Sequence, residues 1–109
     1  MGGPHITIPC TISKQGTAFQ VQALIDSGAN GYAFIDEALL RQISSVFTIF
    51  VAKLPAPIPV KGYNGTAGKQ ITHYTRFTLT IDKRIQSYTP FLITTLQNNG
   101  IILGRQWLA

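Results

Sequence analysis

A chain of 109 residues, 45% hydrophobic and only 12% charged, is read as one folded domain. That length buries about 60 to 70 per cent of the unfolded surface but cannot support two cores, and the composition is too apolar for a disordered segment. The net charge of +5 invites a nucleic-acid reading. The Lys and Arg residues, however, are scattered singly apart from Lys83-Arg84, and no basic run interleaves with aromatics, so only a generic pull towards acidic partners is expected and no specific nucleic acid.

Val46 to Ala52 is the longest apolar run and includes Thr48; it falls far short of the roughly 20 residues that cross a bilayer, so no membrane span is expected. Met1-Gly2-Gly3-Pro4 has neither the basic nor the hydrophobic region of a secretory signal and suggests a trimmed start, as in a domain cut from a longer polypeptide. Cys10 is the single cysteine. It cannot form an internal disulfide, and in an alternating stretch it is expected to be a buried thiol suited to reducing, intracellular conditions.

In chain order, Ile6, Ile8, Cys10 and Ile12 alternate with polar residues or Pro9, the period of a strand with one buried face. Lys14-Gln15-Gly16-Thr17 suits a turn. Phe19, Val21, Ala23 and Ile25 alternate again and run into Asp26-Ser27-Gly28-Ala29-Asn30-Gly31, a loop at a strand end where chemistry is often placed. Asp36 suits a helix N-cap before Leu39, Leu40 and Ile43, with Glu37 and Arg41 spaced for an i,i+4 pair. Pro55, Pro57 and Pro59 predict an extended connector that lacks central-strand pairing over much of its length.

Gly62, Gly65, Gly68 and the Asn64-Gly65 pair make Val60 to Tyr74 a projecting, mobile hairpin. Phe77, Leu79 and Ile81 alternate, Asp82-Lys83 can turn, and Tyr88 to Thr95 is rich in strand formers despite Pro90. Gln97-Asn98-Asn99-Gly100 predicts another turn, followed by Ile101-Ile102-Leu103-Gly104. Turns every eight to twelve residues with one or two short helices indicate an all-β domain. A loose echo joins Leu24-Ile25-Asp26-Ser27-Gly28 to Ile101-Ile102-Leu103-Gly104: in each, hydrophobics lead towards a glycine.

The acids are Asp26, Asp36, Glu37 and Asp82. Asp36 and Glu37 suit a helix start and Asp82 a turn. Asp26 has no such structural role; it follows an apolar strand where small neighbours let a backbone approach closely. On its own, Asp-Ser-Gly reads more readily as a β-turn than as a catalytic motif. Ser27 has no nucleophile-elbow or triad context, since neither His5 nor His73 lies in one.

Ala23-Leu24-Ile25-Asp26-Ser27-Gly28-Ala29-Asn30 followed by Phe34-Ile35 resembles the active-site strand of retropepsins, especially those of gypsy-type LTR retrotransposons. Ile101-Ile102-Leu103-Gly104-Arg105-Gln106-Trp107-Leu108 resembles the second signature of that family. Val60-Lys61-Gly62-Tyr63-Asn64-Gly65 with Ile71-Thr72-His73 is similar to the flap region of its fungal members.

The resemblance implies a closed retropepsin-like β-barrel with a flap hairpin, and an aspartic endopeptidase that acts as a homodimer without metal or organic cofactor. Asp26, Ser27 and Gly28 would be the catalytic residues. Asp26 would be the carboxylate, Ser27 would hydrogen-bond across the dyad axis, and Gly28 would leave room for substrate backbone. Ala29, Asn30, Gly62, Tyr63, Asn64, Gly65 and Ile102 would contact the substrate, with the Gly62 to Gly68 hairpin closing over a peptide. The family's Arg105 braces the active-site loop on an aspartate; Asn30 stands in that place and offers only a neutral hydrogen bond.

Retroviral enzymes dimerise through interleaved terminal strands, so these short ends predict a dimer through another surface or a weak one. The substrate would be a Gag-Pol-type polyprotein in the cytoplasm, within virus-like particles. The rival expectation is an inactive binding domain that keeps the fold; a basic domain attached to RNA-handling proteins is a third.

Overall fold

The computed structural model describes residues 6–26, 32–46, 48–59, 70–96 and 100–104. Strands β1 (Ile6–Lys14) and β2 (Thr17–Ile25) form the expected hairpin, in register from Lys14↔Thr17 to Ile6↔Ile25. Gln15 and Gly16 between them have φ of 52° and 82°, both left-handed. That is the requirement of a type I′ turn, whose twist matches the flanking strands. Glycine meets it freely; Gln15 does so at a cost of about 1–2 kcal/mol.

The remaining strands are β3 (Ala33–Asp36), β4 (Ala52–Pro59), β5 (Gln70–Ile81), β6 (Arg84–Thr94) and β7 (Ile101–Leu103). They hydrogen-bond in the order β1-β2-β7-β3-β6-β5-β4, and β5 also returns to β1, through Thr11↔Thr80 to Ser13↔Thr78. This closes a barrel of six strands and leaves β4 outside it on the edge of β5. The expected closed, mostly β barrel is therefore the fold found.

Strand alternation sends one set of side chains inward. Cys10, Ile12, Ala23, Ile35, Phe77, Leu79, Phe91, Ile101 and Leu103 fill the interior together, each large apolar side chain contributing about 1.5–3 kcal/mol by burial. Phe77 and Phe91 meet edge to face with ring centres 5.9 Å apart, a favoured aromatic geometry.

The proline-rich stretch is a strand rather than a connector, but a broken one. Strand β4 pairs with β5 at Ala52↔Tyr74 and Lys53↔His73, loses register, and resumes at Ile58↔Ile71 and Pro59↔Gln70. Pro55 and Pro57 occupy the gap because they have no N–H to give a ladder. Residues 60–69, which join β4 to β5, lie outside the described residues.

Helix α1 (Glu37–Ser44) begins where expected and is the one helix among the described residues. Asp36 Oδ2 accepts from the N–H groups of Ala38 at 3.0 Å and Leu39 at 3.4 Å, satisfying donors that a helix start otherwise leaves open. Leu40 and Ile43 are the buried face. The expected Glu37–Arg41 pair is replaced by a longer-range contact: Glu37 Oε1 accepts the Thr95 hydroxyl at 2.6 Å.

Strands β5 and β6 turn at Asp82-Lys83, with Asp82 at φ 52°. Their register slips between Phe77 and Leu79, and the bulge places Tyr88 at φ 55°. Arg76 Nη1 donates to the Tyr88 carbonyl at 2.9 Å, and the Thr89 hydroxyl donates to the Gln86 carbonyl at 2.9 Å. These side chains satisfy backbone groups that the broken ladder leaves unpaired.

Candidate active site

The echo between the two halves of the sequence becomes a spatial fact. Strands β2 and β7 run parallel and adjacent, with Ala23↔Ile101, Leu24↔Ile102 and Ile25↔Leu103 in register. The ladder extends one step further, because the Asp26 N–H donates to the Leu103 carbonyl at 2.9 Å. Asp26 is thus fixed at the end of a parallel pair and is half-buried, next to the strand that ends at Leu103 and is followed by buried Gly104.

Since Asp26 continues the β2 ladder, alternation puts it on the face of Leu24, away from the barrel interior. That face carries one transverse row. Leu24 pairs with Ile102, Ile102 with Phe34, Phe34 with Leu92, and Leu92 with Tyr74. Leu24 and Ile102 form a cluster separate from the barrel core, together with Leu96 and the partly buried Phe34. Tyr32 extends it, its ring edge-on to Phe34 at 6.1 Å between centres.

The other acids are occupied elsewhere. Asp36 caps α1, and its second oxygen accepts from the Leu96 N–H at 2.7 Å. Glu37 takes the Thr95 hydroxyl, and Asp82 sits in the β5–β6 turn. No group of three or more His, Cys, Asp or Glu among the described residues is placed to hold a metal ion. His73 is exposed, its Nδ1 2.8 Å from the Thr72 hydroxyl.

Of the residues assigned from sequence, Asp26 and Ile102 are described. Ser27, Gly28, Ala29, Asn30, Gly62, Tyr63, Asn64 and Gly65 lie outside the described residues, as does Arg105. Ile102 is only 2% exposed, so in the single chain it forms part of the apolar floor beside Asp26. Sequence reasoning left Leu92, Tyr74 and Tyr32 out of the site. Their signal was weak, since it depends on cross-strand register, which no local pattern specifies.

A protein-family profile described as the PEG10/RTL1 protease domain matches residues 22–109. The chain belongs to this family. It is therefore a retropepsin-like, retrotransposon-derived aspartic protease domain by descent and fold. The match begins within β2 and takes in both Asp26-Ser27-Gly28 and the β7 signature. No curated protein matches the chain.

Proposed function

We propose that the chain is an aspartic endopeptidase that works as a homodimer, each copy supplying Asp26 to a shared pair. The observation that carries this reading is the place of Asp26: backbone-anchored to Leu103 at the mouth of the β2–β7 pair, in a chain of protease ancestry. In such a pair one carboxylate takes a proton from water while the other, protonated, donates to the scissile carbonyl. The water oxygen bonds to the carbonyl carbon; the C–N bond of the resulting tetrahedral intermediate then breaks, and the proton acquired by the base leaves on the amine nitrogen. Two carboxylates held about 3 Å apart share a single proton and titrate as a unit, so one chain alone is insufficient.

In this reading Ser27 and Gly28 shape the dyad loop. Ala29, Asn30, Ile102 and residues 62–65 contact an extended peptide held mainly through its backbone. The substrate is a retrotransposon-type polyprotein processed in the cytoplasm, within particles that it builds, and the chain shares its descent with gypsy-type proteases of fungal character. The second reading, a binding domain without activity, is favoured by one point: the family includes inactive members.

Solution mass and peptide cleavage measured together from about pH 4 to 7 decide between them. A dimer whose cleavage falls at least about a thousandfold in Asp26→Asn is expected. A persistent monomer that cleaves nothing supports the binding domain, and undiminished cleavage by Asp26→Asn removes that residue from the mechanism.

A further inference from the structure

A cavity of about 400 Å³ opens at the far end of the apolar row, lined by Tyr32, Leu54, Ile58, Tyr74, Arg76 and Leu92 among others. Its walls are mostly apolar, with Gln86, Thr89 and two tyrosines among the lining, and they carry one cation. Arg76 lies over the Tyr74 ring, 5.4 Å from its centre, and one of its nitrogens holds the Tyr88 carbonyl. None of the four acidic side chains of the chain is engaged by it: Asp36 and Glu37 are committed elsewhere, Asp82 lies in a turn, and Asp26 is across the sheet. A guanidinium with donors to spare on a mostly apolar wall calls for an anion that none of the described residues supplies.

Tyr32 links the cavity to the Asp26 face: it lines the cavity and packs edge-on against Phe34, which joins the Leu24 and Ile102 cluster. Counted along the sheet from β2, which carries Asp26, Leu92 on β6 is three steps away and Arg76 on β5 four. At about 4.8 Å per step that arc is about 14–19 Å, and because the barrel curves the straight path is shorter, so at about 3.3 Å per residue the cavity lies within about six residues of a bond cut at Asp26. We propose that this cavity is a specificity pocket for a glutamate side chain of the peptide substrate, within about six residues of the scissile bond, with Arg76 as the selecting residue.

The inference rests on the reading of the Asp26 face as a peptide site. Glutamate suits the pocket better than aspartate, because its methylenes reach across Leu54, Ile58 and Leu92 before the carboxylate meets Arg76. Arg76 is half-buried, so its attraction is screened only in part and weakens as salt is added.

The test screens a random peptide library and takes forward a peptide selected for cleavage or, where none is cut, for binding. Glutamate or glutamine is then placed in turn at every position on both sides of the bond. In the wild type kcat/KM should favour glutamate about tenfold at one position within that range, through KM, with the preference shrinking at high salt. Arg76→Gln should bring that ratio to about one, and Arg76→Glu should favour lysine at the same position.

Binding of the same peptides to the Asp26→Asn variant, followed by fluorescence anisotropy, separates the two readings. Cleavage with no glutamate preference, or a preference that survives Arg76→Gln, overturns the pocket and leaves the protease intact. Glutamate-selective, Arg76-dependent binding without cleavage by the wild type supports the pocket and overturns proteolysis. Peptides that are neither bound nor cleaved overturn both.

Discussion

Replacing Asp36 with alanine should be among the most destabilising changes to any polar side chain in the described part of this domain. One oxygen of Asp36 caps α1 through Ala38 and Leu39, and the other accepts from the Leu96 N–H at 2.7 Å, sixty residues away in sequence. Losing an N-cap costs about 1 kcal/mol, and losing a hydrogen bond to a charged group about 1.5–3 kcal/mol. Together they remove about 2.5–4 kcal/mol from a total that is about 5–15 kcal/mol for a typical domain. The melting temperature should fall by about 10–30 °C, given about 4–8 °C per kcal/mol at this size. Urea unfolding should show a lower midpoint with an unchanged slope.

Asp36→Asn discriminates between the two contacts. Its single oxygen can serve the helix or Leu96, while its amide group opposes the remaining donor, so about half the loss is expected. Hydrogen exchange at the Leu96 amide should quicken in both variants, because that proton loses its acceptor. A loss below about 0.5 kcal/mol in Asp36→Ala, or an Asp36→Asn variant as stable as the wild type, would refute the reasoning.

Two further changes probe the strands that present Asp26. Gln15→Asn should stabilise the β1–β2 hairpin by about 0.5–1 kcal/mol, because Asn-Gly is the preferred type I′ pair for a position at φ 52°; an unchanged urea midpoint would count against that account. Burial pushes the Cys10 thiol up from 9.0 to about 11. The folded state thus keeps its proton after the unfolded chain has lost it, so this stabilisation is complete below about pH 9 and disappears as pH rises through about 11. The loss approaches about 2–3 kcal/mol, and unfolding midpoints between those limits should fall less steeply in Cys10→Ala than in the wild type.

How much of this was legible in the sequence depended on the range of the interaction. The β1–β2 hairpin, the Asp36 cap and the Asp82-Lys83 turn follow from residues a few positions apart, and the structure places all three where the pattern did. The proline-rich stretch was half legible: Pro55 and Pro57 do break pairing, yet Ala52-Lys53 and Ile58-Pro59 still reach β5, because two paired ends suffice to dock an edge strand. Glu37 was misread because the local rule for Arg41 competes with Thr95, a partner brought near only by β6. The bond from Asp36 to Leu96 and the row from Leu24 to Tyr74 were invisible for the same reason. Both arise from strand order, and strand order depends on the whole barrel.

That row also bears on how a single Asp26 can serve catalysis. Ala23 and Leu24, like Ile101 and Ile102, are buried on both faces of their strands, whereas a sheet with one face to water alternates apolar with polar residues. The outer face at this point is therefore built to be covered, and Leu96 accounts for part of the cover. A second copy related by a two-fold axis through the Asp26 pair would bring its own row and its own Arg76 pocket at the same distance on the other side. A peptide lying across that axis meets both, although its own direction is not symmetric. The proposed dimer thus predicts two glutamate-favouring positions, about equally far before and after the scissile bond, both lost in Arg76→Gln. Glutamate selection confined to one side would mean that a single chain binds the peptide, and the shared-dyad arrangement would then have to be abandoned.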